Sequence, residues 1–532
     1  MNSVMFTDRN QLWQELKSSA ENRWDVIVVG GGITGAGILR ESVRRGYRTL
    51  LIEQRDFAWG SSSRSSKMVH GGLRYLAAGK VALTRHALHE RENLIAEAPR
   101  LVERLGYYFP LYLKRFPPRF MAGILFWLYD RLAGIRNHRQ VSNQELKQVF
   151  TRMDTSNING AFYYTDAVTD DARLTLRVMQ ESIKQGGHVR NYTRATSLLN
   201  AGERVQGLTA EDLETGESIE LQARVVINAT GAWADRLGNA ALAGMKIRPQ
   251  RGSHLILGAD RFPVPHAIFL LHPEDGRRLF IYPWEGLTIV GTTDIYHPED
   301  LDIAASMTPD ELRYLLTAAR QLFPENPPTR DDVISTWSGV RPIITSGKSG
   351  DPSKASREHQ VWVEPGMVSC SGGKLTTFHH MALDVLSKAE PFLPPAAPFS
   401  SKRIFSDPAV EGSEIMPEDP DRGERLLGRY GENAAALLAS APASERATIA
   451  GTLTCLAQVR WALLHEAVLH LDDLMLRRTR LGILIKNGGA GILDQIKPLC
   501  REVLGWTEEK WDFEVQRYLQ IIDRYYMVPA AI

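Results

Sequence analysis

The stretch Asp25-Val-Ile-Val-Val29-Gly30-Gly31-Gly32-Ile33-Thr34-Gly35 decides the fold. Its apolar, β-branched run has the pattern of a parallel strand buried on both faces. Glycines in GxGxxG spacing follow at once, and a helical pattern continues to about Gly46. In this motif Gly30 permits a tight turn, Gly32 lets the backbone approach a pyrophosphate, and Gly35 lets the helix pack closely on the sheet. Ile33 and Thr34 begin the helix, whose unsatisfied N–H groups bind phosphate. A second strand, Tyr47 to Glu53, ends in an acid about 20 residues on, where a carboxylate meets a ribose hydroxyl. Strand, glycines, helix, strand and acid in this order specify a dinucleotide site. An acid rather than an arginine at 53 disfavours a 2′-phosphate.

On the N-terminal side, residues 10–24 read as a short polar helix. Further along, about 70–345 alternates β-rich runs (Val225–Ala229, Leu279–Tyr282, Leu287–Gly291) with helical stretches such as Ala172–Gly186, a mixed α+β pattern. Pro391, Pro394, Pro395 and Pro398 mark a boundary, and Pro408, Pro417 and Pro420 keep the following stretch irregular. Residues from about 421 to 532 read as almost wholly helical, with helical apolar spacing in Trp461–Leu471. The expected division is a helical lead (1–24), a dinucleotide-binding domain interleaved with a substrate domain (25–400, the substrate part roughly 80–170 and 240–345), and a C-terminal helical domain (401–532).

Composition narrows the function. Lys+Arg is 63 and Asp+Glu 62, so no global field attracts nucleic acid, and an anionic ligand needs a local basic cluster. Cys370, Cys455 and Cys500 are too far apart for a zinc site or disulfide framework, which predicts a reducing compartment and no metal. Asp8, Arg9, Glu15 and Lys17 interrupt any signal-peptide core. The most apolar run, Phe120–Tyr129, is roughly half of the ~20 residues a spanning helix needs.

Three segments favour FAD over a nicotinamide cofactor. Ser61-Ser-Ser-Arg-Ser-Ser-Lys67 and His70-Gly-Gly-Leu-Arg74-Tyr75 follow the acid closely, a stretch that a simple nicotinamide dehydrogenase does not need. Val225-Val-Ile-Asn-Ala229-Thr230-Gly231-Ala-Trp233 is a strand ending in ATG. Ser371-Gly-Gly-Lys374-Leu-Thr376-Thr377 opens an apparent helix, placing N–H donors near a flavin's N1–C2=O edge. Taken singly, these are a polar loop, a sheet-end turn and a capped helix.

On these segments, with Thr169–Leu174, Arg251–Leu257, Gly291–Asp294 and Trp337–Pro342, the chain resembles the FAD-dependent (respiratory, aerobic) glycerol-3-phosphate dehydrogenases over roughly residues 25–380. Leu474–Thr479, in a helix, also fits. The resemblance implies an α/β flavoprotein: a Rossmann-like FAD domain interleaved with a mixed-sheet substrate domain of the glutathione-reductase or D-amino-acid-oxidase type, plus the C-terminal all-helical domain. It implies oxidation of sn-glycerol 3-phosphate at C2 to dihydroxyacetone phosphate, hydride passing to flavin N5 and electrons then passing to a membrane quinone. FAD is expected to be non-covalent, since no spacing around His70 demands attachment. Its contacts are expected from Gly30, Gly32, Ile33, Thr34, Gly35, Glu53, Gln54, Ser61, Ser62, Ser63, Ser65, Ser66, Lys67, His70, Gly71, Gly72, Ala195, Ala229, Thr230, Gly231, Trp233, Gly373, Lys374, Leu375 and Thr376. No EF-hand loop is present, so calcium regulation is not expected.

A phosphate monoester with a secondary alcohol needs cations for the phosphate and an acceptor for the hydroxyl proton. Arg341 and Arg74 are the candidate cations. Lys374 either favours the anionic reduced cofactor or contacts substrate. His254 is the candidate base or a hydrogen-bonded structural histidine, and Tyr75 orients substrate, lies on the flavin or is a packed aromatic. Lys114, Arg115 and Arg119 beside the aromatic run to Tyr129 form either an interfacial membrane anchor or a buried helix after a Pro-Pro turn. The expected location is cytoplasmic, peripherally attached to the inner membrane, with a homodimer as a family-level expectation. Rival readings are a glycerol-3-phosphate oxidase using dioxygen, a flavin amine or amino-acid oxidase, and a non-catalytic flavin-binding scaffold.

Overall fold

In the computed structural model, Arg23–Val29 is the strand that the rest of its sheet is built around. Ser218–Asn228 pairs with it in parallel on one side and Thr49–Ile52 on the other, with Val26 opposite both Val225 and Thr49. Met367–Ser371 and His188–Arg190 extend the parallel order outward. Gln360–Glu364 and the hairpin Thr193–Ala201/Arg204–Asp212 bring the described strands of this sheet to eight. Alternate side chains of a strand leave opposite faces. Val26 and Val28 therefore join a core with Leu39, Val178 and Val385 of the helices Ile33–Arg44, Asp171–Ile183 and Phe378–Ala389. Ile27 and Val29 join Leu12, Trp13 and Leu16 of the N-terminal helix Arg9–Ser18 on the other face.

The structure describes residues 6, 8–18, 23–113, 115–238, 246–345, 358–397, 403–406 and 411–530. Residues 19–22 of the expected lead, Lys114, Pro398 and Pro408 fall outside these, as does the Arg74 side chain.

A second sheet, ten strands among the described residues, runs in the order Ile295–Tyr296, Lys246–Gly258, Leu287–Gly291, Arg278–Trp284, Ala267–Leu271, Val102–Tyr112, Ile158–Thr169, Met68–Val69. Val333–Thr345 pairs antiparallel with Lys246–Gly258, and Arg139–Val141 with Ile158–Thr169. One face of this sheet is covered by C-terminal helices: Trp337, Ile256 and Tyr164 share a core with Leu474, Met475, Tyr518 and Ile522.

Several sequence expectations shift. The helix expected to open at Ser371 begins at Phe378, because Gly372 and Gly373 take positive φ and a 3₁₀ turn, Leu375–Thr377, precedes it. The glycine-loop helix ends at Arg44 and the next strand is Thr49–Ile52. In the C-terminal part, the Trp461–Leu471 pattern is broken after His465, and helix resumes only at Leu471. Asp473–Arg478 is wound as a π-helix, so the C-terminal part is more broken than its periodicity implies.

Candidate active site

At the carboxyl ends of the parallel strands, where open α/β sheets bind ligands, lies a cavity of about 410 Å³. It runs from Glu53 and Gln54, past the glycine loop and Trp59–Ser62, to Ala229–Trp233 and Gly372–Leu375. Gly30 has φ +116°, and a Cβ there would stand 2.6 Å from the Ala229 carbonyl oxygen. At Gly35 it would stand 1.9 Å from the Gly30 carbonyl oxygen, so the helix start is seated directly on the loop. The helix has no side-chain cap at Gly32, which leaves its positive end facing the cavity. The Ile33 N–H donates to Ser62 Oγ at 2.9 Å. This uncapped helix end, beside a cradle that side chains would fill, fits the pyrophosphate of a dinucleotide.

The structure brings into this lining Gly30, Gly32, Ile33, Thr34, Glu53, Gln54, Ser61, Ser62, Ala195, Ala229, Thr230, Gly231, Trp233, Gly373, Lys374 and Leu375. Glu53 also has a local duty: its carboxylate accepts the N–H groups of Gly31 at 2.7 Å and Arg55 at 2.8 Å. Burial nevertheless pushes its pKa above the ordinary value.

Other expected contact residues stand behind the lining. Ser65 Oγ and N–H both donate to Asp171, and Lys67 Nζ, wholly buried, donates to the same carboxylate at 2.9 Å. The Ser63 carbonyl accepts from Lys67, and Ser66 Oγ meets His254 Nε2 at 2.8 Å. The His70 N–H donates to Thr376 Oγ and that of Gly71 to Asp166. Gly72 lies under the Tyr75 ring.

The candidate substrate residues form two groups. Lys374 Nζ stands 3.6 Å from the Tyr75 ring centroid. Arg341 reaches Asp294 and Thr292, both at 3.3 Å, with Gly252 closely beneath its guanidinium. His254 is opposite Trp337 in the strand pairing and stacks on it at 4.7 Å and 7°. Burial, then the charges of Arg341 and Lys67, hold its pKa well below 6.5. Its Nδ1 is buried with no hydrogen-bond partner among the described residues.

Sequence reasoning missed several lining residues: Trp59, Gly60, Thr193, Arg194, Arg236, Leu237, Asp302 and Pro342. Asp302 accepts from Trp233 Nε1 at 3.1 Å and from Arg236. Only proximity to read motifs pointed to them, as Arg194 adjoins Ala195 and Pro342 adjoins Arg341. The Ser61 hydroxyl donates to the Val340 carbonyl, tying the serine segment to the Trp337–Pro342 strand.

The family model described as FAD dependent oxidoreductase matches residues 25–382, and one described as C-terminal domain of alpha-glycerophosphate oxidase matches residues 404–511. A glycerol-3-phosphate dehydrogenase of Mycobacterium leprae is 34% identical over 519 residues, covering 93% of this chain and 87% of that protein. The chain belongs to the glycerol-3-phosphate dehydrogenase family of FAD-dependent oxidoreductases. An aerobic glycerol-3-phosphate dehydrogenase of Staphylococcus haemolyticus is a further member at 32% identity, with 87% of this chain and 88% of that one covered. Among solved structures, the family's Bacillus halodurans glycerol-3-phosphate dehydrogenase, complexed with FAD, superposes with a TM-score of 0.76 at 27% identity, covering 98% and 97% of the two chains. The fold of this family accounts for both sheets and the helical C-terminal part.

Proposed function

We propose that this chain oxidises sn-glycerol 3-phosphate to dihydroxyacetone phosphate with non-covalently bound FAD and delivers the electrons to a membrane quinone. The observation that carries the reading is the dinucleotide cavity with Lys374 in its wall and Pro342, the neighbour of Arg341, completing it. FAD, when bound, supplies the hydride acceptor. Gly30, Gly32, Ile33, Thr34, Glu53, Ser61 and Ser62 would hold it.

The chain's own residues then divide the remaining work. Arg341, Lys374 and Arg74 carry the cations that a phosphate monoester requires, arginine offering a forked pair of donors. Tyr75, its ring against the Lys374 ammonium, fixes where that charge stands. His254 is held neutral at physiological pH by burial and two cations. His254, with Nε2 hydrogen-bonded to Ser66 Oγ, is the residue assigned to receive the C2 hydroxyl proton. Residues 25–400 act as the interleaved cofactor and substrate domains, 1–24 as a helical lead and 401–532 as a helical domain.

Membrane contact is part of this proposal. No helix of the described residues is long and apolar enough to cross a membrane. The helix Arg119–Ala133 buries Ala122, Phe126, Tyr129 and Ala133 but presents Phe120, Met121, Ile124 and Trp127 to solvent, Phe120 at 76% exposure and Trp127 at 56%. Exposed Phe116, Arg115 and Arg119 continue the patch. Aromatic and basic residues on one exposed face fit an interfacial anchor on the cytoplasmic leaflet. The acceptor is tested by supplying purified, FAD-loaded protein with glycerol 3-phosphate and either a quinone analogue or dioxygen. Turnover with the quinone and little peroxide is expected; fast peroxide formation would assign an oxidase instead.

A further inference from the structure

The C-terminal helical part reaches the cofactor side of the molecule through buried arginines. Arg477 and Arg478 converge on Asp56. Arg480, two residues on and in a left-handed conformation, goes elsewhere. Its guanidinium donates to the Asp171 carboxylate, to the Ser63 carbonyl at 2.9 Å and to the Leu476 carbonyl at 2.7 Å.

Asp171 opens the helix Asp171–Ile183 and is wholly buried. One of its oxygens accepts both the N–H and the hydroxyl of Ser65, at 2.9 and 2.8 Å. The other accepts Lys67 Nζ, which lies 4.9 and 4.8 Å from the Trp284 and Trp337 rings. Tyr282 and Trp337 add bonds to the carbonyls of Ser66 and Ser65. The same short segment carries Ser61 and Ser62 into the cavity wall and sets Ser66 against His254.

Lys67 and Arg480, with Arg429 beyond, face Asp171 and Asp170, all of them buried. A buried network of this kind stabilises little by itself but fails badly when one charge is removed. Its geometric effect is specific, because Asp171 holds Ser65 and Lys67 while Arg480 holds Asp171 and the Ser63 carbonyl.

We propose that Arg480 is a positioning residue: from the C-terminal helical part it holds Asp171 and the Ser63 carbonyl, and so sets where residues 61–67 stand against the bound cofactor and His254. The proposal rests on the functional reading above. It gives the C-terminal helices a part in completing the site beyond covering the second sheet. Lys67 reports on the same link. Burial, followed by the charge of Arg480, pushes its pKa down to about 8, with Asp171 and Asp170 acting the other way. His254 in turn feels the charge of Lys67.

The test compares Arg480→Met, Arg480→Lys and Arg429→Met in the full-length, FAD-loaded protein. Arg429 is equally buried and pairs with Asp170 and Glu285, and none of its hydrogen bonds or ion pairs goes to residues 61–67. The measurements are thermal midpoint, visible circular dichroism of the bound flavin, FAD affinity, and the anaerobic rate of flavin reduction by saturating glycerol 3-phosphate at a series of pH values. Both methionine variants are expected to lose thermal stability. Arg480→Met alone should alter the flavin dichroism and slow reduction by about tenfold to a hundredfold, the upper figure being the scale of a misplacement of about 1 Å. It should also move the pH dependence upward as Lys67 loses a cationic neighbour, and Arg480→Lys should restore part of each change.

Parent-like dichroism and reduction rate in Arg480→Met, or the same changes in Arg429→Met, would overturn the proposal. Should Arg480→Met not fold, Arg480→Lys decides, since a lysine cannot keep the forked set of bonds to Asp171, Ser63 and Leu476; parent-like dichroism and rate there would also overturn it. A parent chain that takes up no FAD would overturn the functional reading first, and this proposal with it.

Discussion

Replacing Gly35 by alanine adds one carbon where the structure has no room for it. The new Cβ would stand 1.9 Å from the Gly30 carbonyl oxygen, backbone rather than a flexible side chain. A comfortable carbon–oxygen contact is about 3.3 Å, so the helix Ile33–Arg44 must retreat from the glycine loop by more than an ångström. Retreat is resisted on its far side, where a Cβ at Gly37 would already stand 2.8 Å from the Phe378 ring. Overpacking of this kind costs ~1–3 kcal/mol. Because the displaced atoms are those that receive the pyrophosphate, much of that cost falls on cofactor affinity, equivalent to a ~5- to 150-fold rise in Kd for FAD. The assay is titration of the apoprotein with FAD, followed by flavin fluorescence quenching, alongside the thermal midpoint with and without FAD. Gly134→Ala is the control: it is also strained, at φ +71°, but has open space around it and caps a helix whose residues do not line the cavity. It should lose about 1–2 kcal/mol of stability and keep parent FAD affinity. Gly35→Ala binding FAD within twofold of the parent would refute the idea that the helix start is seated on the loop to receive a dinucleotide.

Two further outcomes follow from other parts of the molecule. Phe120→Glu combined with Trp127→Glu should leave the thermal midpoint nearly unchanged, since both side chains are exposed, while reducing co-sedimentation with anionic vesicles by about tenfold or more. Undiminished co-sedimentation would remove this face from the membrane contact. His379 stands 3.3 Å from Glu41 and 3.4 Å from Glu90; burial works against its charge, but the two carboxylates prevail and raise its pKa to about 9. A folded-state value above the unfolded one means that its stabilisation is fully present below about pH 6.5 and fades as pH rises through about 9. His379→Gln should therefore cost a few kcal/mol, on the order set by the shift, in mildly acidic solution and progressively less in alkali. A stability difference that stays constant from acid to alkali would contradict the pairing.

The cofactor half of the site was legible because its signals are local. Strand, glycine loop, helix and acid occur within one short stretch, and Gly30 and Gly35 have a steric reason visible once Ala229 and Gly30 are in place. The Val225–Trp233 segment likewise puts its strand part, to Asn228, beside Arg23–Val29 in the register that sets Ala229 against Gly30. What proved illegible depends on partners far away in sequence. Lys67 stands among the residues expected to contact FAD, yet its ammonium is buried against Asp171 and near two tryptophan rings. Arg480 looks like any helix-end arginine until the fold brings it to Ser63. The Phe120–Tyr129 run was open to two readings, and the helix has a face for each: Phe126 and Tyr129 are core, as the buried reading requires, whereas Phe120 and Trp127 face outward, where the interfacial reading is the one proposed. The late start of the helix at Phe378 has a local cause that periodicity does not register, two successive glycines with positive φ.

In the proposed reading, the FAD cavity adjoins an arginine- and lysine-bearing pocket that holds an alcohol phosphate. Anaerobic titration of the FAD-loaded protein with glycerol 3-phosphate, followed at the oxidised-flavin absorbance, tests it in one step. The parent should bleach, and Arg341→Ala should keep its FAD yet need ~10- to 100-fold more substrate, the scale of lost charge-assisted bonds. A yellow parent protein that glycerol 3-phosphate leaves unbleached, or an Arg341→Ala variant that titrates like the parent, would contradict it.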